Sequence, residues 1–266
     1  MPKPGQARVL TPAQQAELFR VIQDHRHPEK NTAIMQISFK LGLRVQEIAL
    51  LQLKEVCRLG PRTSTAPRAY ILLEVMALPA SYTKGADAMK RSASKYQRNR
   101  LAFTVHEFAK MLRQVETLIK NGEPINPEDH YPELKKHEGN SRDLPMVDAD
   151  LRTALDEHLA VRLQRDPVVK PSDPLFITQK GAPYSPNTLQ EHMALMLRDW
   201  LGVEKANSHS GRRSLITDII HEQGKPVKVA QKIAAHVSPA TTIIYEDATE
   251  KEIAGALKDL TKKKIP

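Results

Sequence analysis

The sequence has little of what several classes of protein require. Its 266 residues include a single cysteine, Cys57, which excludes an intrachain disulfide and a zinc site built from cysteines. No run of apolar residues approaches the ~18–20 that a membrane-spanning helix needs, and the start, MPKPGQARVL, lacks the apolar stretch of a secretory signal. Aromatic residues make up only 5%, which disfavours a protein that stacks on single-stranded bases. We therefore expect a cytoplasmic protein that has no membrane partner.

What the sequence does have is an excess of positive charge. It contains 40 Lys and Arg against 31 Asp and Glu, for a formal net charge of +9, and such an excess favours an anionic partner, most often nucleic acid. The charge is concentrated between residues 81 and 100, where one acid stands among six basic residues: Lys84, Lys90, Arg91, Lys95, Arg98 and Arg100. A solvated loop would have the same composition, but contact with the backbone of double-stranded DNA suits it well.

The spacing of apolar residues predicts mostly helices. Thr11 followed by Pro12 is typical of a helix start. Further helices are predicted to begin at Asn31, about Arg44, Thr104, Asp148, Ser185, Ser208 and Val227. Extended segments are predicted at residues 69–78, 142–147 and 175–178. Periodicity alone thus predicts a mostly α fold with some β structure.

Three short motifs carry residues suited to chemistry at a phosphate. Arg44 and Glu47 stand three residues apart at a predicted helix start, where a carboxylate can hold a guanidinium ready for an anion. His209 and Arg212 share one helix face by the same spacing, beside the free amides of a helix start. Tyr245 follows His236 by nine residues. Taken singly, these motifs also fit a surface ion pair, a structural histidine and a core tyrosine.

In this order, the motifs resemble the tyrosine recombinase (phage integrase) family. The family pattern is an Arg in a G-L-R-x-x-E setting, then H-x-x-R, then a His and a Tyr near the C-terminus. Its counterparts here are Gly42-Leu43-Arg44 with Glu47, His209 with Arg212, His236, and Tyr245. The resemblance implies an α+β, mostly α catalytic domain with a small antiparallel β-sheet. It also implies a single domain over residues 1–266, a basic insertion at 79–134 in the β-hairpin region, and a C-terminal helix and basic tail at 249–266.

The activity that the resemblance implies is DNA strand breakage and rejoining without a metal or nucleotide cofactor. Tyr245 would attack the phosphate and form a 3′-phosphotyrosine, and His209 would help to take the tyrosine's proton. The other implied roles are phosphate binding by Arg44, Arg212 and His236, orientation of Arg44 by Glu47, and a DNA contact by Arg213. The lysine that protonates the leaving oxygen stays open between two candidates. Lys136 is nearest to the expected spacing and is narrowly preferred, whereas Lys84 has the family's usual Lys-Gly pair.

The sequence departs from the family pattern in two further ways. Ala234-Ala235 stands where the family usually has Leu-Gly, and we expect this exchange of small residues to be harmless. The family's separate N-terminal DNA-clamping domain has no room before Arg44, so the chain resembles a catalytic domain alone.

The resemblance also implies a homo-oligomer, a tetramer on two DNA sites, in which the C-terminal helix docks on a neighbouring subunit. Two other functions stay open, a non-catalytic DNA-binding regulator and a type IB topoisomerase. The target site, and the choice among integration, excision, inversion and dimer resolution, are not evident from the residues.

Overall fold

The part of the chain that the computed structural model describes folds mainly into helices. It comprises residues 7–61, 69–82, 105–126, 141–236 and 239–245. The helices are α1 (Pro12–Gln23), α2 (Pro28–Gln36), α3 (Val45–Leu50), α4 (Val105–Asn121), α5 (Ala149–Arg165), α6 (Pro186–Ala194), α7 (Ser210–Thr217), α8 (Val227–Ala234) and α9 (Pro239–Ile243). Three of them continue as π-helical turns, α2 through Ile37–Leu41, α6 through Leu195–Trp200 and α7 through Asp218–Glu222. None of the helices in these ranges combines the length and apolar character that crossing a membrane requires.

In the described part of the chain the β structure consists of two antiparallel pairs of strands, which agrees with the small antiparallel β structure that the resemblance implies. Strand β1 (Cys57–Leu59) pairs with β2 (Tyr70–Leu72), and β3 (Val75–Leu78) pairs with β4 (Arg142–Pro145). The single strand predicted over residues 69–78 is therefore wrong. The chain bends between β2 and β3 and changes partner there, with Leu73 bonded to Val56 and Glu74 to Met146. The segment predicted to be extended at 175–178 forms one isolated bridge, Ile177 with Pro183.

Local chemistry explains where the helices begin. The predicted start of α1 is confirmed: Thr11 Oγ1 accepts from the Gln14 amide and the Gln14 side chain accepts from the Thr11 amide. The predicted start of the second helix at Asn31 is wrong, because Pro28 begins it and the buried Asn31 side chain donates to the Arg26 carbonyl instead of capping. Ser208 is likewise not the N-cap of α7; His209 is, and Ser208 is buried.

Helix α7 is held close to the π-helical turn that follows α2. Gly211 permits this approach, since a Cβ at that position would lie 2.9 Å from Ser38 Cβ and 3.0 Å from the Ser38 carbonyl carbon. Gly42 ends the turn with φ +62°, as predicted for a helix stop. Because Gly42 and Gly211 lie immediately before the Arg44 and Arg212 segments, their packing brings the two motifs together.

The buried apolar residues form two clusters. The larger joins α1, α2, α3, α5 and α6 with β3 and β4. The smaller consists of Ile216, Ile219, Ala230 and Ala234, with Tyr245 packed against it. The segment carrying Tyr245 therefore rests on a small core formed by α7 and α8.

Several predictions fall outside the described residues. These are both lysine candidates, Lys84 and Lys136, the five basic residues Lys90, Arg91, Lys95, Arg98 and Arg100, and the C-terminal helix at 249–266. Within the predicted insertion at 79–134, the helix expected near Thr104 is present as α4.

Candidate active site

The candidate site is organised around the last turn of α8. The last carbonyls of a helix have no partner within the helix, and here three consecutive ones accept hydrogen bonds from three different arginines. Arg142 Nη1 donates to the Ile233 carbonyl over 2.8 Å, Arg212 Nη2 donates to the Ala234 carbonyl, and Arg44 Nη2 donates to the Ala235 carbonyl over 3.5 Å. The negative end of the α8 dipole stabilises positive charge at this place. Three guanidinium groups from distant parts of the sequence are thus held side by side.

A buried carboxylate links two of these arginines. Glu47 is 1% exposed, and its Oε2 accepts from the Arg44 backbone amide and from Arg142 Nη2, each over 2.7 Å. Its Oε1 accepts from Arg44 Nη1 over 3.2 Å. Arg44 is itself the N-cap of α3, so one carboxylate fixes both the start of the helix and the guanidinium at its head. The predicted pairing of Arg44 and Glu47 is present.

Arg212 is the most deeply buried of the three, at 4% exposed. Its Nη1 donates to the Gly42 carbonyl over 2.6 Å, so the glycine turn before Arg44 also holds Arg212. Burial, with the charge of Arg44 as the next contribution, lowers the pKa of Arg212 to about 9. Arg212 therefore remains a cation at neutral pH.

His236 follows the α8 turn directly and is half-buried. Its Nδ1 shares a 2.8 Å hydrogen bond with the hydroxyl of Thr242, which is fully buried on α9. Burial, reinforced by the positive charges of Arg212 and Arg44, lowers the pKa of His236 to about 4. The imidazole is therefore neutral at pH 7, with one ring proton to donate.

Tyr245 lies against His236 and Arg213. The rings of Tyr245 and His236 are nearly parallel, with centroids 6.1 Å apart, and the Arg213 guanidinium carbon lies 5.6 Å from the Tyr245 ring centroid. His221 Nε2 donates to the Tyr245 carbonyl over 2.7 Å. The tyrosine is thus tied to the π-helical turn after α7, the helix that carries Arg212.

The structure brings together most of the predicted site residues that it describes. Arg44, Glu47, Arg212, His236 and Tyr245 are linked through the α8 turn and the His236 ring. His209 stands one helical turn before Arg212 with an exposed side chain, and its amide donates to Asn207 Oδ1. Arg213, predicted to contact DNA, lies over the tyrosine ring. Among the residues described here, no three His, Cys, Asp or Glu side chains gather as metal ligands would.

Ala235 does not replace a glycine without cost, contrary to the expectation from the sequence. It adopts the left-handed conformation, φ +46° and ψ 51°, as the residue that ends α8. A side chain in this conformation costs about 1–2 kcal/mol, which glycine avoids. The strained alanine is the residue whose carbonyl meets Arg44.

Comparison with known proteins finds a family match over part of the chain. The phage integrase family model matches residues 133–252. Residues 133–252 form a phage integrase domain. A tyrosine recombinase XerC from Methylobacterium sp. (strain 4-46) is 34% identical over 119 residues, which are 44% of this chain and 35% of that relative. The chain thus spans about a third of the length of this curated relative.

Solved structures extend the likeness in fold beyond the phage integrase domain. A crystal structure of XerA recombinase has a TM-score of 0.57 at 15% identity and covers 99% of this chain and 68% of that one. The Tn1549 transposon integrase in complex with transposon right end DNA has a TM-score of 0.53, also at 15% identity, and covers 98% of this chain and 69% of that one. Arg44 and Glu47 precede residues 133–252, so it is the fold that brings them to the phage integrase domain.

Three residues of the site belong to none of the three sequence motifs. Arg142 begins the extended segment predicted at residues 142–147, and neither Thr242 nor His221 is indicated by a motif. Thr242 could have been identified from its spacing, since it lies one helical turn before Tyr245. Arg142 and His221 act across long separations in the chain, 95 residues to Glu47 and 24 to Tyr245, and no local pattern indicates such contacts.

Proposed function

We propose that this protein is a tyrosine-type site-specific DNA recombinase. It cuts and rejoins double-stranded DNA through a 3′-phosphotyrosine at Tyr245, and it serves the integration, excision or inversion of a mobile or invertible element. The observation that carries the proposal is the convergence of Arg44, Arg212, His236 and Tyr245 at the last turn of α8. A protein that only bound DNA would have no use for a tyrosine next to an anion site of this kind.

The charge balance of the site suits a phosphodiester. The α8 terminus gathers three arginines, two of which pair with the Glu47 carboxylate, so these four residues together carry two positive charges. Arg44 and Arg212 each have guanidinium N–H groups beyond those bonded to carbonyls, and these can donate to the two non-bridging oxygens. Because the arginines are held before DNA arrives, they stabilise the charge that develops in the transition state without reorganising.

The covalent step balances without a cofactor. The Tyr245 oxygen bonds to phosphorus, the bond from phosphorus to the 5′ oxygen breaks, and the tyrosine proton passes to a base, for which His209 is the candidate. The 5′ oxygen takes a proton from a general acid, for which Lys136 and Lys84 are the candidates. Attack by that 5′ hydroxyl, or by one from a second duplex, reverses the step and restores the tyrosine.

Neutral His236 suits the role of a hydrogen-bond donor to the phosphate. When the Thr242 hydroxyl donates to Nδ1, the single ring proton resides on Nε2, on the opposite edge of the ring. Nε2–H can then donate to a non-bridging oxygen. A charged imidazole is not required, because the arginines already supply the positive charge.

Covalent capture tests the proposal. The protein is first used to select bound duplexes from a pool of random sequence, and the selected duplexes are then nicked so that cleavage releases a short fragment and cannot reverse. Wild type is expected to give a protein–DNA adduct that survives denaturation, whereas Tyr245→Phe gives none although it still binds. An equal yield from the Phe variant, or no adduct from wild type on duplexes that it binds, overturns the proposal; the second result favours a DNA-binding regulator.

The proposed assembly is a homotetramer on two DNA sites. The Tn1549 integrase structure contains transposon DNA, which supports DNA as the partner here. Two assays separate this assembly from a topoisomerase. A topoisomerase relaxes supercoiled plasmid as a monomer, whereas a recombinase requires two sites and gives a complex that contains four subunits.

A further inference from the structure

Arg142 takes part in no bond-making or proton-transfer step proposed above, yet it connects three parts of the site. It opens β4, and its side chain is 9% exposed. Its Nη2 donates to Glu47 Oε2 over 2.7 Å, and its Nη1 donates to the Ile233 carbonyl over 2.8 Å. One guanidinium thus ties the β3–β4 sheet to the start of α3 and to the end of α8.

We propose that Arg142 is a positioning residue for the two phosphate-binding arginines, an inference that rests on the proposed function. It holds the Glu47 carboxylate so that Oε1 faces Arg44. It also holds the α8 terminus so that the next two carbonyls meet Arg212 and Arg44. The role of Arg142 is to hold protein groups, since its two terminal nitrogens bond the Glu47 carboxylate and the Ile233 carbonyl.

The physical reason is that three guanidinium groups in one partly buried place repel one another. Attraction to Glu47 and to the carbonyl end of α8 offsets this repulsion. Without Arg142, Oε2 of Glu47 loses a charge-assisted hydrogen bond and the carboxylate is free to pair with Arg44 through both oxygens. Arg44 is then drawn towards Glu47, away from the Ala235 carbonyl and from the place of the phosphate.

The chain offers a matched control in Arg152. This half-buried arginine lies on α5, and its Nη1 donates to the Leu73 carbonyl over 3.1 Å and to the Met146 carbonyl over 3.4 Å. It therefore joins the ends of the same β3–β4 sheet, but these contacts involve neither Glu47 nor α8. Arg152→Met therefore measures how the loss of an arginine at this sheet changes stability and rate when the contacts with Glu47 and α8 are intact.

The experiment compares Arg142→Met, Arg142→Lys and Arg152→Met with wild type on the duplex found by covalent capture. Three quantities are measured: the rate of adduct formation at saturating DNA, the dissociation constant, and the urea midpoint of unfolding. Arg142→Met is expected to slow adduct formation by about tenfold to a hundredfold, the cost of a slightly misplaced catalytic group, while DNA binding changes little. Arg142→Lys, which keeps the charge beside Glu47, is expected to recover part of the rate, and Arg152→Met is expected to react as wild type does.

A second substrate separates positioning from a general loss of structure. Replacing one non-bridging oxygen of the scissile phosphate by methyl removes the negative charge that the arginines stabilise. If Arg142 acts through Arg44 and Arg212, its loss costs less on this neutral substrate than on the natural one. An equal cost on both substrates, a rate like that of Arg152→Met, or a loss confined to DNA affinity overturns the inference. Failure of wild type to form any adduct is distinct from these results, since it overturns the proposed function and this inference with it.

Discussion

Glu47→Gln tests whether the carboxylate, rather than its shape alone, assembles the site. The buried Glu47 side chain accepts three hydrogen bonds, two at Oε2 and one at Oε1. A glutamine has one acceptor oxygen, and its other terminal atom is an NH2 donor. If the oxygen takes the place of Oε2, it keeps the bonds to the Arg44 amide and to Arg142. The NH2 group then faces the Arg44 guanidinium, donor against donor, and Arg44 loses its support.

The expected loss of unfolding free energy follows from the Arg44 guanidinium that Glu47→Gln leaves unpaired. Removing one partner of a buried ion pair costs about 3–5 kcal/mol, and since glutamine still accepts two bonds we expect about 3 kcal/mol of unfolding free energy to be lost. Adduct formation should fall by about a hundredfold, because Arg44 is displaced from the place at which we propose that it stabilises the transition state. DNA affinity should change less than the rate, since the other groups proposed to contact phosphates are unchanged.

Glu55→Gln is the matched control for this variant. Glu55 is also buried, and its Oε2 accepts from the Gln52 backbone amide over 2.6 Å, which repeats the local geometry of Glu47 and Arg44. Its Oε1 accepts from the Tyr82 hydroxyl over 3.2 Å. Urea unfolding and adduct formation are measured for both variants. Equal effects of the two substitutions on the rate would refute the reasoning, because the loss would then belong to the capping geometry and not to the arginine cluster.

Two further predictions concern stability. Ala235→Gly should raise the unfolding free energy by about 1 kcal/mol, because the backbone at residue 235 is left-handed. Ala234→Gly, in the right-handed last turn of α8, should lower the unfolding free energy by about as much. Urea denaturation of both variants checks these opposite signs, and a loss of stability in both contradicts the argument. Burial lowers the pKa of His158 to about 4, so between about pH 6.5 and 4 the unfolded chain binds the proton more tightly and stability falls as the pH falls. The lowered pKa of His158 reduces the unfolding free energy by about 2 kcal/mol between pH 8 and pH 5. His158→Gln, which still offers an N–H to the Leu175 carbonyl, should remove that part of the pH dependence, and an unchanged slope would count against it.

The sequence predicts a helix boundary correctly where a single residue determines it through local contacts. The Thr11 cap and the Gly42 stop are examples, because a side-chain oxygen and a left-handed glycine act within a few residues of their position. The sequence places the start of the second helix too late because Asn31 is a good cap by type. In the structure its side-chain amide donates to the carbonyl of Arg26, which precedes the helix. The division of residues 69–78 into two strands depends on the partners β1 and β4, and strand partners are distant in sequence.

The site was predictable for residues that belong to ordered motifs and not for those that support them. Arg44, Glu47, Arg212, His236 and Tyr245 were identified by their types and order, and the structure then brought them together. The hydrogen bond between Arg142 and Glu47 depends on how the α8 terminus packs against β4 and α3. The left-handed backbone at Ala235 depends on the same packing. Such contacts are set by packing between elements, so they required the three-dimensional structure.

The phage integrase domain at residues 133–252 does not contain its whole candidate site. Arg212 lies inside these residues, but its Nη1 bonds the Gly42 carbonyl, and the approach of α7 that permits this bond depends on Gly211 packing against Ser38. Arg44 and Glu47 come from the same preceding segment. That segment is in turn held by the packing of α2 on α5, a helix of the phage integrase domain. Positions on the face between α2 and α5 therefore help to place Arg44 at the α8 terminus and the Gly42 carbonyl at Arg212. If the proposed function is correct, substitutions there should slow adduct formation without altering any residue proposed to meet the phosphate.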